Sequence, residues 1–181
     1  MGNQPIMVSD ELQLNQAIAT VDAATSGSYT IEFTTTITEG TDTGGAIDYD
    51  GQSLSAPADL YAPNLASGVS VTIDGADNAL SGAGTYRGLF VYNGDVTIQN
   101  LTIQNAVAKG GAGAGGGGGG AGLGGGLFVA GHNTVGGVTT AGGDVTLDDV
   151  TFSSDSAIGG SGGVGSGGGG GGLGGAGSDY C

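Results

Sequence analysis

The residues of this sequence that could do chemistry are mostly aspartates that lie close together along the chain. Asp48 and Asp50 are separated by one residue, Asp74 and Asp77 by two, and Asp148 and Asp149 are adjacent. Two neighbouring carboxyl groups can act as the acid and base of a sugar-cleaving enzyme, or can bind calcium together with loop carbonyl groups. Asp48, Asp50, Asp74 and Asp77 are therefore the candidate calcium ligands, and they are also the candidate acids of an enzyme.

The other reactive groups do not complete a catalytic or metal site. His132 is the only histidine and Cys181 the only cysteine, so neither a zinc-binding set nor an internal disulfide is expected. Arg87 is the only arginine, which equips a lyase poorly to stabilise a carbanion. We expect a non-catalytic protein with no catalytic residue and no cofactor, with calcium as the one alternative.

The charge of the chain excludes two classes of partner. Seventeen acids stand against two cations, Arg87 and Lys109, and the formal net charge is −15. Nucleic acid and anionic membranes are excluded because almost nothing is present to neutralise phosphate. Insertion into a membrane is not expected either, because no apolar run approaches the roughly 20 residues that span a bilayer.

Two glycine tracts show that the chain is built from repeats. Residues 110–126 hold 13 glycines and residues 159–177 hold 14, out of 44 in the chain. The motif Gly-Leu-Gly-Gly begins at Gly122 and again at Gly172, 50 positions later. A recurrence at this distance indicates a repeat architecture.

Short strands recur with nearly the same offset. Val145 to Phe152 copies Val96 to Ile103 at an offset of 49, and Val71 precedes Val96 by 25. Asn100 and Asp149 mark bends, because both residue types tolerate left-handed backbone. Such strands predict a parallel stack spaced at about 4.8 Å, with a β-sandwich as the competing fold. The predicted inward positions are Val96, Ile98, Leu101 and Ile103, then Val145, Leu147, Val150 and Phe152.

The first part of the chain has a different pattern. Residues 10–24 place Leu12, Leu14, Ile18 and Val21 roughly on one face, which predicts a short amphipathic helix with Ser9 or Asp10 as its cap. A strand is predicted for residues 29–38. We expect residues 1–28 to cover one end of a parallel stack formed by residues 29–181.

Several short motifs resemble known secreted proteins. Gly44-Gly45-Ala46-Ile47 resembles the GGAI element of chlamydial polymorphic outer-membrane proteins and related bacterial autotransporter passengers. The sequence from Gly125 to Val129, the strand from Val145 to Phe152 and the following Asp155 resemble the rest of their unit, with Asp155 in place of the usual asparagine. The resemblance covers roughly residues 30–180. It implies a right-handed parallel β-helix (a β-solenoid) from a secreted or surface-anchored bacterial protein.

The glycine tracts have two interpretations. They predict either a disordered linker or an ordered glycine sheet or bundle anchored by leucines, because glycine backbones can approach closely in an extended three-fold helix. The candidate interaction residues are those that bound or anchor the tracts: Gly110, Leu123, Gly126, Gly159, Leu173 and Gly177.

These observations predict a structural or adhesive surface protein of a bacterium. It would be a segment of an adhesin, a stalk or a self-assembling extracellular filament. Its partners would be further copies stacked end to end, or a glycan or protein of a host or cell surface. The alternative is a polysaccharide-binding or polysaccharide-cleaving enzyme that uses the paired acids.

Overall fold

The computed structural model describes residues 4–41, 46–49, 52–55, 60–135, 138–140 and 142–165. These residues contain one helix, α1 (Glu11–Asp22), and fifteen strands. The strands of the first half are β1 (Ile6–Val8), β2 (Gly27–Phe33), β3 (Ile37–Thr38), β4 (Ala46–Tyr49), β5 (Gln52–Ser55), β6 (Val69–Asp74), β7 (Ala79–Ser81) and β8 (Leu89–Val91). Those of the second half are β9 (Gly94–Gln104), β10 (Val107–Lys109), β11 (Leu127–Val129), β12 (Asn133–Val135), β13 (Val138–Thr140), β14 (Gly143–Ser153) and β15 (Ser156–Ile158).

Helix α1 forms where the sequence predicts it. The carboxylate of Asp10 accepts a hydrogen bond from the backbone N–H of Gln13 at 2.8 Å, so Asp10 is the N-cap. Leu14, Ile18 and Val21 follow one face at helical spacing and are fully buried. The apolar face of α1 lies against β1 and β2 and joins the same core as the strands.

Seven strands form one sheet around β9. Its long path runs β1-β2-β6-β9, and β7, β3 and β14 join it through β9. All of these pairings are parallel, and β9 is long enough to pair with β6 through its first half and with β7 through its second. Alternate residues of each strand face the core, as in β6, where Val69, Val71 and Ile73 are buried. The parallel pairing argues against a sandwich of antiparallel strands.

The register of the sheet reproduces the spacing of the repeats. Val71 pairs with Val96, and Val96 pairs with Val145, which are the offsets of 25 and 49 in the sequence. Asn100 and Asp149 have φ of 50° and 52°, so both repeats bend at the predicted position. The sequence therefore predicted the pairing between β6, β9 and β14.

The predicted closed right-handed parallel β-helix is wrong. The described residues form an α/β-like arrangement, a seven-stranded parallel sheet with a helix, accompanied by separate two-stranded ladders. Two of these ladders, β8–β11 and β10–β15, are parallel, and β4–β5 and β12–β13 are antiparallel hairpins. A closed solenoid needs ladders that continue through every turn on all sides. Here the apolar face of α1 packs beside β1 and β2, whereas in a solenoid a further sheet would pack there.

Candidate interaction surface

Among the residues that the structure describes, none covers the whole of the side of β14 that continues the core. We call the inward-directed residues Val145, Leu147, Val150 and Phe152 of this strand the open face. Leu147 pairs in register with Ile98 and Phe152 with Ile103, and both partners are 0% exposed. Leu147 is 46% exposed and Phe152 44% exposed. The sequence pattern placed all four residues in the core. Val145 and Val150 do pack against it, whereas the prediction is wrong for Leu147 and Phe152, because both side chains remain exposed.

The backbone of β14 is open along the same side. One edge of β14 pairs with β9, and no further strand pairs with its other edge within the described ranges. An unpaired strand edge presents a row of N–H and C=O groups that another chain can pair with. Together, the edge and the open face form an incomplete layer of the sheet and of its core.

Three aspartates accompany the open face along β14. Asp144 pairs in register with Asp95, and Asp148 pairs with Gln99. Asp149 occupies the left-handed bend between the two halves of the strand. All three are exposed, so an incoming strand would meet a row of negative charge beside the apolar residues.

Asp74 shows how the sheet accommodates an aspartate at the position of Asp148. Its carboxylate accepts hydrogen bonds from the Ala76 backbone at 2.9 Å, the Gln99 side chain at 2.7 Å and the Asn100 side chain at 3.1 Å. Partial burial would raise the pKa of Asp74, but these three donors outweigh it and lower the pKa below its usual value. The donors from β9 thus stabilise a carboxylate on the preceding strand.

Of the predicted calcium ligands, Asp74 and Asp77 are not part of a group that could hold a metal among the described residues. Asp74 is engaged by its three donors, and Asp77 is an exposed turn residue with φ of 64°. Asp48 lies in the β4–β5 hairpin, and Asp50 lies outside the described residues. A group of three or more histidine, cysteine or acidic residues able to hold a metal was not found in the described part of the chain.

The glycine tracts are packed against each other where the structure describes them. Three segments, residues 110–114, 117–122 and 158–163, form what we call the glycine bundle. Each segment is hydrogen-bonded to the other two through the backbone. The bonds are Gly120 N to Gly111 O at 2.8 Å, Gly113 N to Ser161 O at 2.7 Å, Gly110 N to Ile158 O at 2.8 Å, Gly160 N to Gly120 O at 2.8 Å and Gly163 N to Gly117 O at 2.8 Å.

The close approach of these segments requires glycine. A Cβ on Gly160 would overlap the carbonyl oxygen of Gly111, and one on Gly110 would overlap that of Gly120. Over the described residues, the tracts therefore follow the ordered interpretation and not that of a linker.

The predicted bounding and anchoring residues of the tracts differ in their environments. Gly110 and Gly126 are buried, Leu123 is half-buried and Gly159 is exposed. Leu173 and Gly177 lie outside the described residues.

Two surface features were not predicted from the sequence. An open groove of about 450 Å³ lies at the start of β6, β9 and β14, and its lining includes Asp95, Asp144 and His132. Phe90 and Phe128 meet edge to face on the β8–β11 ladder, with ring centroids 5.1 Å apart. The groove was not predictable because it depends on how β6, β9 and β14, which are distant in sequence, are aligned. The contact of Phe90 with Phe128 depends on the pairing of β8 with β11, which the Leu-Phe-Val sequence shared by these two strands indicates.

Comparison of the chain with models of protein families, with curated proteins and with solved structures found no match. The helix of the described residues is not long and apolar enough to cross a membrane.

Proposed function

We propose that this chain is a non-catalytic structural or adhesive protein that binds an extended strand of a partner polypeptide along β14. The observation that carries this proposal is the exposure of Leu147 and Phe152, because their register partners in β9 are completely buried. An added strand would form backbone hydrogen bonds with the unpaired edge of β14, and its side chains would cover the open face.

The energetics of such an addition are favourable at the open face. Complete burial of a large apolar side chain contributes about 1.5–3 kcal/mol, so covering the exposed halves of Leu147 and Phe152 contributes about 1 kcal/mol each. Val145 and Val150 already contact the core and would lose their remaining exposure. The proposed setting is the outside of a bacterial cell, for which the support is the resemblance of the repeats to autotransporter passengers.

The polysaccharide-cleaving alternative has less support. It needs Asp48, Asp50, Asp74 or Asp77 to converge in a cleft, whereas Asp74 is occupied by structural hydrogen bonds and Asp77 is exposed on a turn. The groove beside β14 is lined by Asp95 and Asp144 instead.

The proposal is tested with a peptide that copies residues 94–105, the sequence of β9 and its following residue. In this peptide, lysine replaces the aspartate that corresponds to Asp95. Binding of the peptide to the full chain is followed by fluorescence anisotropy. We expect the variant with Leu147→Ser and Phe152→Ser to lose at least about tenfold in affinity, because the covered apolar area is removed. Circular dichroism checks that the variant is folded.

The matched control is the variant with Thr146→Ser and Thr151→Ser. These residues lie on the same strand and are exposed on its other face. The control should bind the peptide as the unmodified chain does. Binding that is absent throughout, or that both variants weaken equally, would show that β14 is not a docking edge.

A further inference from the structure

The chemistry of the partner strand follows from the charges along β14, given the proposed function on which this inference rests. A strand that pairs in parallel beyond β14 would continue the ladder of β6 and β9. Its side chains would then meet Asp144 at one position and Asp148 and Asp149 at the bend. Any occupant therefore has to accommodate three carboxylates as well as an apolar face.

The sheet itself contains a solution to the same problem. Asp74 and Asp148 lie at equivalent register positions, on either side of Gln99. Gln99 and Asn100, on the strand that follows Asp74, donate hydrogen bonds to its carboxylate. Charge-assisted bonds of this kind are about twice as strong as bonds between neutral groups. On a strand after β14, amide donors at the same two positions would both reach Asp148, as Gln99 and Asn100 both reach Asp74. The second amide would also lie beside Asp149 at the bend.

A second copy placed edge to edge fits poorly. An antiparallel pair of β14 strands that brings Val145 opposite Phe152 and Leu147 opposite Val150 also brings Asp148 opposite Asp149, twice across the two-fold axis. Like charges directly opposite each other destabilise a strand pair. The acidic bend of β14 thus disfavours its own pairing.

A second copy stacked end to end also fits poorly. The opposite edge of the sheet is β1, which has three residues against the eleven of β14. Beside it, α1 already closes the core and presents polar residues outward, among them Gln13, Gln16 and Thr20. That surface gives the open face of another copy little apolar area to bury.

We propose that the occupant of β14 is an extended strand of a different polypeptide, with apolar residues at alternate positions, amide side chains facing Asp148 and Asp149, and a basic side chain facing Asp144. Such a strand complements the three carboxylates of β14 in charge. It differs from the sequence of β14 itself, in which aspartates stand at all three positions.

Two peptides test the requirement for amide side chains separately from the ability of β14 to bind a strand. The amide peptide is the copy of residues 94–105 with Asp95→Lys. The acid peptide carries Gln99→Asp and Asn100→Asp in addition, so that the two differ only at the positions facing Asp148 and Asp149. Both are titrated against the full chain at neutral pH and about 0.15 M salt, where long-range charge is screened.

We expect the amide peptide to bind at least about tenfold more tightly than the acid peptide. On the chain with Asp148→Asn and Asp149→Asn, this difference should fall to about twofold or less, because the carboxylates are gone. That variant leaves the open face intact, so the amide peptide still binds it.

Each other outcome overturns a defined part of the proposal. Equal affinity of the two peptides for the unmodified chain would overturn the amide and basic chemistry but leave strand addition standing. Binding of neither peptide would overturn strand addition itself. Sedimentation that shows dimers or filaments of the chain alone at neutral pH would overturn the assignment to a different polypeptide, since a second copy would then be the occupant.

Discussion

At the scale of single residues, the carboxylate of Asp74 joins two strands through three hydrogen bonds. The two carboxylate oxygens accept hydrogen bonds from the backbone N–H of Ala76 and from the side-chain amides of Gln99 and Asn100. Asp155 has a comparable task, because its carboxylate accepts a hydrogen bond from the backbone of Ala106 at 2.8 Å, across 49 positions of sequence. These aspartates stabilise the turns of the sheet, and their role is structural.

The first prediction concerns Asp74. Replacement by asparagine leaves an amide in place of an acceptor-only group, so we expect the free energy of unfolding at neutral pH to fall by about 1 kcal/mol. Because the pKa of Asp74 is lowered in the folded chain, its contribution is present above about pH 4 and is lost as the pH falls through the lower folded value. The difference between the unmodified chain and the variant should therefore shrink below about pH 4.

Urea unfolding across a pH series measures this difference, with Asp77→Asn as the matched control. Asp77 lies in the same turn but is exposed, and asparagine tolerates its positive φ. A loss in the control equal to that of Asp74→Asn would assign the effect to charge at the turn and not to the hydrogen bonds.

At the scale of elements, hydrogen bonds between backbone groups join the three segments of the glycine bundle. Its three segments have few side chains to pack, so their order depends on close approach and on the hydrogen bonds between them. An added methyl group at a crowded position has to push two backbones apart. At an uncrowded position of the same tract, it meets only ordinary van der Waals contact.

Gly160→Ala and Gly159→Ala form a matched pair for this element. We expect Gly160→Ala to destabilise the chain by about 1–3 kcal/mol, because its Cβ would overlap the carbonyl oxygen of Gly111. Gly159→Ala should stay within about 0.5 kcal/mol, since the nearest atom to its Cβ lies 3.9 Å away. Thermal unfolding gives the two values, and faster amide exchange at Gly113 and Gly120 in the first variant alone locates the damage in the bundle. Equal effects of the two changes would contradict a tightly packed bundle.

The sequence predicts those features of the strands that the alternation of apolar side chains determines directly. The alternation of Val96 and Ile98 and its copy at Val145 and Leu147 fixed the parallel register, because the period of a strand appears directly in its side chains. The same alternation shows which side chains face inward but not whether another layer covers them, so the open face was missed. The closed fold was predicted wrongly because the periodicity of strands does not report how a helix such as α1 shares the core.

At the scale of the whole molecule, charge acts against the folded state. A net charge of −15 is confined to a compact chain with two cations, so carboxylates repel one another in the folded form more than in the unfolded form. Parallel strands bring some of them into register, as with Asp95 and Asp144.

Added salt should therefore stabilise the protein. Between about 0.01 M and 1 M sodium chloride the screening length falls from about 30 Å to about 3 Å. A gain of about 1 kcal/mol would raise the melting temperature by about 2–4 °C in a chain of this size. The control is the same series near pH 4, where many carboxylates are protonated and the salt effect should be smaller. A melting temperature that stays constant with salt at neutral pH would show that repulsion between the acids contributes little.

The order in which strands pair has a consequence for how the protein is made. Along the path β1-β2-β6-β9-β14, each strand after β1 pairs with one that comes earlier in the chain: β2 with β1, β6 with β2, β9 with β6 and β14 with β9. The ribosome delivers the covered end first, with β1 and α1, and each later strand emerges after its template has been synthesised. Along this path each strand after β1 finds its first partner already synthesised, which shortens the time for which its edges are exposed to other nascent chains. In the same sheet β3 differs, because it pairs with β7, which is translated later.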